Sequence, residues 1–232
     1  VGQPPNNPPP STSGPKSLPG LISYWPLDEG QGEETADAAA NGSRGRLHGA
    51  SWAPGVKGTG VRFNGKDDFV ELSPAGYQFA QAAPFTIAGW VATEAADGVI
   101  CSFRSRTSIF PVVELSVRKG QLAGWVRDDT SGQGGARLTG SKVNDGKWHH
   151  VALVRAGDGT VEVFLDGTSQ GRDKGKSSGG RITANFCVLG CDRVFFLNGK
   201  ASPGFLAGGL DEFCVYNRPL TAAEIGSLAR DQ

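Results

Sequence analysis

The sequence predicts an all-β fold of two packed antiparallel sheets with one short helix at the C-terminal end, and three observations carry that prediction. Short runs rich in β-branched and aromatic residues recur along the chain, turn dipeptides separate them, and helical periodicity appears convincingly once. The runs are "LISYWPL", "RLHGASW", "DFVELS", "FTIAGWVAT", "GVICSF", "VVELSVRKG", "QLAGWVRD", "WHHVALVRA", "VEVFLDGT" and "NFCVLG", punctuated by Asn-Gly, Asp-Gly, Lys-Gly and Gly-Asp-Gly. Such punctuation signals antiparallel hairpins, and strands at this spacing build a sandwich.

Residues 1–20, "VGQPPNNPPPSTSGPKSLPG", contain almost nothing to bury, so no gain offsets the entropy of ordering them. They read as an extended Pro-rich linker ahead of a single domain at 21–232. With no apolar core or cleavage signal of its own, this stretch leads to the expectation that the chain is the C-terminal piece of something longer. Within the domain, "VEVFLDGT" shows the strand period: Val161, Val163 and Leu165 share one face, Glu162 and Asp166 the other. Phe164 interrupts the polar face and requires a loop or a neighbouring aromatic to cover it. In "TAAEIGSLAR", Thr221 is an N-cap with Glu224 three residues on, and Ile225 and Leu228 share one helical face.

The 23 acidic and 23 basic residues among 232 cancel, so no global field attracts nucleic acid or an anionic membrane. No stretch approaches the roughly 18 apolar residues of a spanning helix, which argues against membrane insertion. The basic loop "GRDKGKSSGGR" sets Arg172, Lys174, Lys176 and Arg181 against Asp173 and reads as a solvated hairpin tip. Four cysteines allow three pairings if all are bridged, and an even count fits an oxidising compartment. Cys187 and Cys191 span only a turn and are placed to clip it, whereas Cys101 and Cys214 lie in apolar strand patterns and read as buried thiols.

The segment "GGLDEFCVYNRPLTAAEI" at 208–225 resembles the closing signature of LamG-like domains, the concanavalin A-like jelly rolls. Gly209, Asp211, Glu212, Phe213, Val215, Tyr216, Asn217, Arg218, Pro219, Leu220, Thr221, Glu224 and Ile225 fit it. "LISYWPLDEG", "ADAAANGSRGRLHGASW", "GTGVRFNGKDDFVEL", "FTIAGWV", "DGKWHHVALVRAGDGTVEVFLDGT" and "CVLGC" resemble further landmarks of the family in their expected order. The resemblance implies a jelly-roll β-sandwich whose first and last strands are neighbours, with the short helix packed over a loop. It also implies a non-catalytic recognition module, acting outside the cytoplasm on carbohydrate or on a glycosylated or protein surface. The rival expectation is a scaffold role in a larger surface assembly, with Tyr77, Phe195, Phe196 and Phe205 forming one dry patch.

The chemistry-bearing residues are sparse. Glycosidases of this fold place paired carboxylates on one strand face, and here Glu114 stands alone on its strand while Glu162 and Asp166 flank Phe164. His149 and His150 are adjacent on a strand and point to opposite faces, so they cannot act as a pair; with His48 they complete the histidines. Many members of the family hold calcium, and the resemblance places a structural Ca2+ between the chain ends on Asp28 and Asp211, with oxygens near Asp37 and Asn41; the alternative is that these carboxylates cap turns or pair with arginine. Of the acidic cluster in the related pentraxins only Asp192 is present. The segment "DRVFFLNGKASPGFLAG" after it is long for a connection, which marks it as a functional surface. Asp192, Phe195 and Phe196 there, with Trp125, are the expected ligand-binding residues. Trp52, Trp125 and Trp148 fit strand positions and read as core, with Trp125 the one most suspected of facing a ligand.

Overall fold

The computed structural model describes residues 14–39, 42–72, 77–105, 110–130, 134–192 and 204–231. Its strands are β1 (Leu21–Trp25), β2 (Glu34–Ala36), β3 (Arg44–His48), β4 (Ser51–Pro54), β5 (Thr59–Asn64), β6 (Phe69–Leu72), β7 (Tyr77–Phe79), β8 (Phe85–Thr93) and β9 (Gly98–Arg104). There follow β10 (Val112–Arg118), β11 (Gln121–Arg127), β12 (Ala136–Lys142), β13 (Trp148–Arg155), β14 (Val161–Leu165), β15 (Thr168–Asp173), β16 (Ile182–Ala184), β17 (Phe186–Leu189) and β18 (Ala207–Tyr216), then helix α1 (Ala222–Leu228). The first sheet runs β15-β14-β13-β8-β18-β5-β4 with β1 also paired to β18, the second runs β12-β11-β10-β9-β17-β6-β3-β2, and β16 pairs with β7 in a small third sheet.

Period-two alternation builds the core between the two large sheets. Val61, Phe63, Ile87, Leu153, Val163 and Val215 face inward from the first sheet against Val70, Phe103, Val113, Leu115, Leu122 and Val126 from the second. The run "RLHGASW" is two strands rather than one. Gly49, with φ +74°, turns a corner that takes the chain from β3 in the second sheet to β4 in the first.

β18 lies in the interior of the first sheet. It pairs with β8 along one side, and on the other with β5 through Ala207–Leu210 and with β1 through Phe213–Tyr216. A bulge between Asp211 and Cys214, with Glu212 at φ +52°, marks the change of partner. The first and last strands are therefore neighbours, as the resemblance implies.

Helix α1 packs against the β14–β15 turn, where a Cβ on Gly167 would stand 2.9 Å from the Gly226 Cα, and also on the sheet itself. Ile225 and Leu228, with Leu220, pack on the outer face of the first sheet against Ala88, Ala152, Phe164, Cys214 and Tyr216, which is what buries Phe164. Thr221 accepts from the Glu224 N–H while Glu224 reaches back to the Thr221 N–H, closing the expected capping box. Residues 14–20, read from composition as linker, dock beside the helix. The Tyr216 hydroxyl donates to the Pro15 carbonyl at 3.0 Å and Arg218 Nε to the Pro19 carbonyl at 2.6 Å.

All four cysteines are buried thiols. The expected Cys187–Cys191 clip does not form because Cys187 faces the inter-sheet core and Cys191 an apolar cluster on the far side of the second sheet. Burial pushes the Cys101 and Cys214 thiols up to about 12, which keeps them protonated and inert. The cysteines thus lend nothing to an oxidising compartment. His149 bridges Asp145 and Asp166, while His150 is buried edge-on against Trp90 and pushed down to about 4 by burial, so the two do act separately.

Candidate functional site

The hairpin β10–β11 turns on Lys119-Gly120, both at positive φ, the two-residue turn whose twist matches its strands. That turn sets Glu114 opposite Trp125. On the outer face of the second sheet the register then places Arg137, Trp125, Glu114, Ser102, Val188, Glu71, Arg46 and Glu34 in one row across all eight strands.

At the Trp125 end of this row lies a cluster of charges that are buried although they sit on an outer face. Arg104 grips Asp192 with two bonds, Nε to Oδ1 at 2.7 Å and Nη2 to Oδ2 at 2.6 Å, and also reaches Glu114 Oε2 at 3.2 Å. Arg118 satisfies the other Glu114 oxygen at 2.9 Å. A buried carboxylate is tolerated when it is paired and hydrogen-bonded in this way. The pairs hold Arg104 with its guanidinium carbon 5.5 Å from the centre of the Trp125 ring, and the exposed Arg137 lies over the same ring at 4.1 Å. Trp125 is half-buried in a depression of about 270 Å³ lined also by Ser116, Leu138 and Thr139.

The structure thus brings together two of the four expected ligand-binding residues, joined through an arginine that sequence reasoning missed. Asp192 is buried and fixes Arg104. Phe195 and Phe196 lie outside the described residues. Glu114 could have been found from the Lys119-Gly120 turn alone, whereas Arg104 depends on β9 lying between β10 and β17. Trp52, Trp125 and Trp148 are half-buried, and the tryptophans of the interior are Trp25 and Trp90. Tyr77, expected on a dry patch, is buried and stacked on Phe103, and Phe205 is half-buried against Phe69, Phe186, Val188 and Cys191.

The carboxylates expected to share calcium are engaged with backbone. Asp211 accepts from the Val56, Lys57 and Glu212 N–H groups at 2.8, 3.0 and 2.9 Å, and Asp28 accepts from the Thr59 N–H at 2.9 Å. Both therefore hold the turn between β4 and β5. Asp37 accepts from the Tyr24 and Ala39 N–H groups at 2.8 Å each, and Asn41 lies outside the described residues. Among the described residues no three His, Cys, Asp or Glu side chains form a group that could hold a metal. N–H groups engage both oxygens of Asp211, whereas the Oδ2 of Asp37 is buried without a hydrogen-bond partner.

Paired carboxylates for glycoside cleavage are not assembled by the candidates either. Glu114 is on the second sheet and Glu162 on the first, where Glu162 is bound by Ser169 and Arg172. Asp166 holds His149 and the His150 N–H. In the basic loop, Arg172 pairs with Glu162 and Lys174 with Asp158.

Neuronal pentraxin-1 of Rattus norvegicus and of Mus musculus is each 32% identical over 89 residues, 38% of this chain. The chain spans only 21% of the length of those relatives. Domain 4 of AbnA, a GH43 extracellular arabinanase from Geobacillus stearothermophilus solved in complex with arabinotriose, aligns over 90% of this chain and 98% of its own, with a TM-score of 0.67 and 19% identity. The binding domain of Paraclostridial Mosquitocidal Protein 1 aligns over 90% of this chain and 52% of its own, with a TM-score of 0.63 and 13% identity. At these identities the likeness is one of fold. The sequence model of the concanavalin A-like lectin/glucanases superfamily matches residues 64–226, more than half of the chain, and the protein belongs to that superfamily.

Proposed function

We propose that this domain is a non-catalytic recognition module, acting outside the cytoplasm, that binds carbohydrate or a glycosylated surface through the Trp125 end of the second sheet. One observation carries the reading: a half-buried indole is held in place by a buried Arg104–Asp192–Glu114 cluster and overlaid by the exposed Arg137. The Arg137 backbone N–H donates to Asp173, but its guanidinium has no carboxylate partner among the described residues, so its charge is available to a ligand. An aromatic ring with a few fixed polar groups beside it is the usual makeup of a small-ligand site. A domain of the same fold that holds arabinotriose supports the ligand class. The extracytoplasmic setting rests on the family. No helix among the described residues is long and apolar enough to cross a membrane.

The test is a glycan array probed with the wild-type chain and with Trp125→Ala and Arg137→Ala. Signal on a defined set of glycans is expected, and titration of the best of them should show each variant weaker by about tenfold or more at unchanged unfolding midpoint. An array without signal, or Trp125→Ala binding as well as wild type, removes the proposal.

A further inference from the structure

The outer face of the first sheet carries a second row of the same kind. Register places Trp148, Ala92, Gly209, Arg62 and Ser51 side by side on β13, β8, β18, β5 and β4. The middle of the row has no side chain beyond a methyl group. Trp148 lies down across that gap: a Cβ at position 209 would stand 2.8 Å from its Cη2 atom, so only glycine admits the ring in this pose. The strands of Trp148 and Arg62 are three spacings apart, about 14 Å, and the indole crosses two of them to β18, so the row is a trough with the ring along it and Arg62 on the next strand.

The trough is a groove of about 580 Å³, whose walls include Arg62, Glu94, Trp148 and the backbone of Gly208 and Gly209. That volume lies within the range of small-ligand sites, roughly 300–1,000 Å³. Arg62 and Glu94 are exposed and make no ion pair with any described residue. Some exposed opposite charges elsewhere on the surface do pair, as Arg44 with Glu34 and Lys174 with Asp158. Here they line one groove without doing so, and their charges cancel.

We propose that this groove is a second saccharide site, taking a neutral sugar ring flat against Trp148 with its hydroxyls bridging Arg62 and Glu94. The chemistry follows from the lining. An aromatic face accepts the apolar face of a sugar ring, a guanidinium donates to hydroxyl oxygens, and a carboxylate accepts from hydroxyl groups. Cancelling charges favour a neutral ligand over an acidic one, because an acidic sugar would meet the Glu94 carboxylate. The inference stands on different side chains from the Trp125 reading and on the opposite face of the sandwich. A domain with both sites engages two chains at once, or two stretches of one, and gains avidity without new contacts.

The test follows indole N–H signals of the full chain by NMR during titration with arabinotriose, xylotriose and cellotriose as neutral probes and trigalacturonate as the acidic one. Trp148→Phe assigns its own signal by removing it. At least one neutral trisaccharide is expected to move the Trp148 signal in the wild type and equally in Trp125→Ala. Arg62→Ala and Glu94→Gln should each weaken that response by about tenfold, at an unchanged unfolding midpoint. A Trp148 signal that stays fixed with every neutral sugar overturns the proposal, as does one that moves only with trigalacturonate or is indifferent to both substitutions. Movement at Trp125 alone supports the first site and overturns the second; movement at Trp148 alone does the reverse.

Discussion

Asp211 offers the sharpest test of how the chain ends are held together. Its carboxyl is fully buried and pushed up to about 7, chiefly because burial disfavours its charge, with Glu212 adding to the effect. In the unfolded chain it releases its proton near the ordinary value of 3.8. Between those values the folded chain holds one proton more than the unfolded chain. Stability from this group is therefore complete below about pH 4, declines as pH rises, and is lost above about pH 7. At about 1.4 kcal/mol per pH unit the loss over that span is about 4 kcal/mol. Asp211→Asn cannot titrate. Its carbonyl oxygen still accepts from Val56 and Lys57, but its amide then faces the Glu212 N–H, at a cost of about 1–3 kcal/mol. Urea unfolding of both chains at pH 5 and pH 8 isolates the effect. His150, whose stability is lost as pH falls toward about 4, is present in both chains and drops out of the difference, while Glu212, coupled to Asp211, contributes to it. Relative to the variant, wild type should lose about 3 kcal/mol between pH 5 and pH 8, the two pH units from pH 5 to about 7 at about 1.4 kcal/mol each. An equal margin at both values would refute the account of Asp211 as a buried acid.

Three further outcomes follow from contacts already described. Phe164→Ala removes the aromatic that α1 covers and should cost about 3–5 kcal/mol, lowering the unfolding midpoint by roughly 10 °C with protease cleavage appearing first in α1. Calcium and EDTA should give the same unfolding midpoint, since the Asp211 oxygens are taken by N–H groups; a rise with calcium that Asp28→Asn abolishes would reinstate an ion between the chain ends. Iodoacetamide without reductant should leave the native chain unmodified and label all four cysteines once it is unfolded, because all four are buried thiols. A cysteine that labels only after reduction would contradict this and restore a disulfide.

Much of the fold was legible because it is written in local chemistry. The nine residues of "FTIAGWVAT" are β8 from end to end, and the Thr221–Glu224 box starts α1 where the spacing says it should. Most of the strands that escaped notice are short or polar: β2, β7 and β16 have three residues each, and β12 and β15 carry mostly Gly, Ser, Thr and charged side chains. Such strands are held by their neighbours more than by their own propensity. The candidate site was half legible. Trp125 and Asp192 could be singled out from residue type and loop length, and the turn at Lys119-Gly120 fixes Glu114 beside Trp125. Arg104 and the Trp148–Arg62 row arise from strand order, which brings together residues far apart in the chain and leaves no local trace.

The position of β18 has a consequence for how the protein is made. During synthesis from the N-terminus, β8 emerges long before the strand that must lie beside it, and β1 and β5 wait without the segment that joins them to β8. Their edges stay unpaired until residues 207–216 leave the ribosome. Closure is therefore a late, long-range event, slow by the logic of loop entropy, and a nascent chain stalled before Ala207 presents three strand edges to chaperones or to other copies of itself.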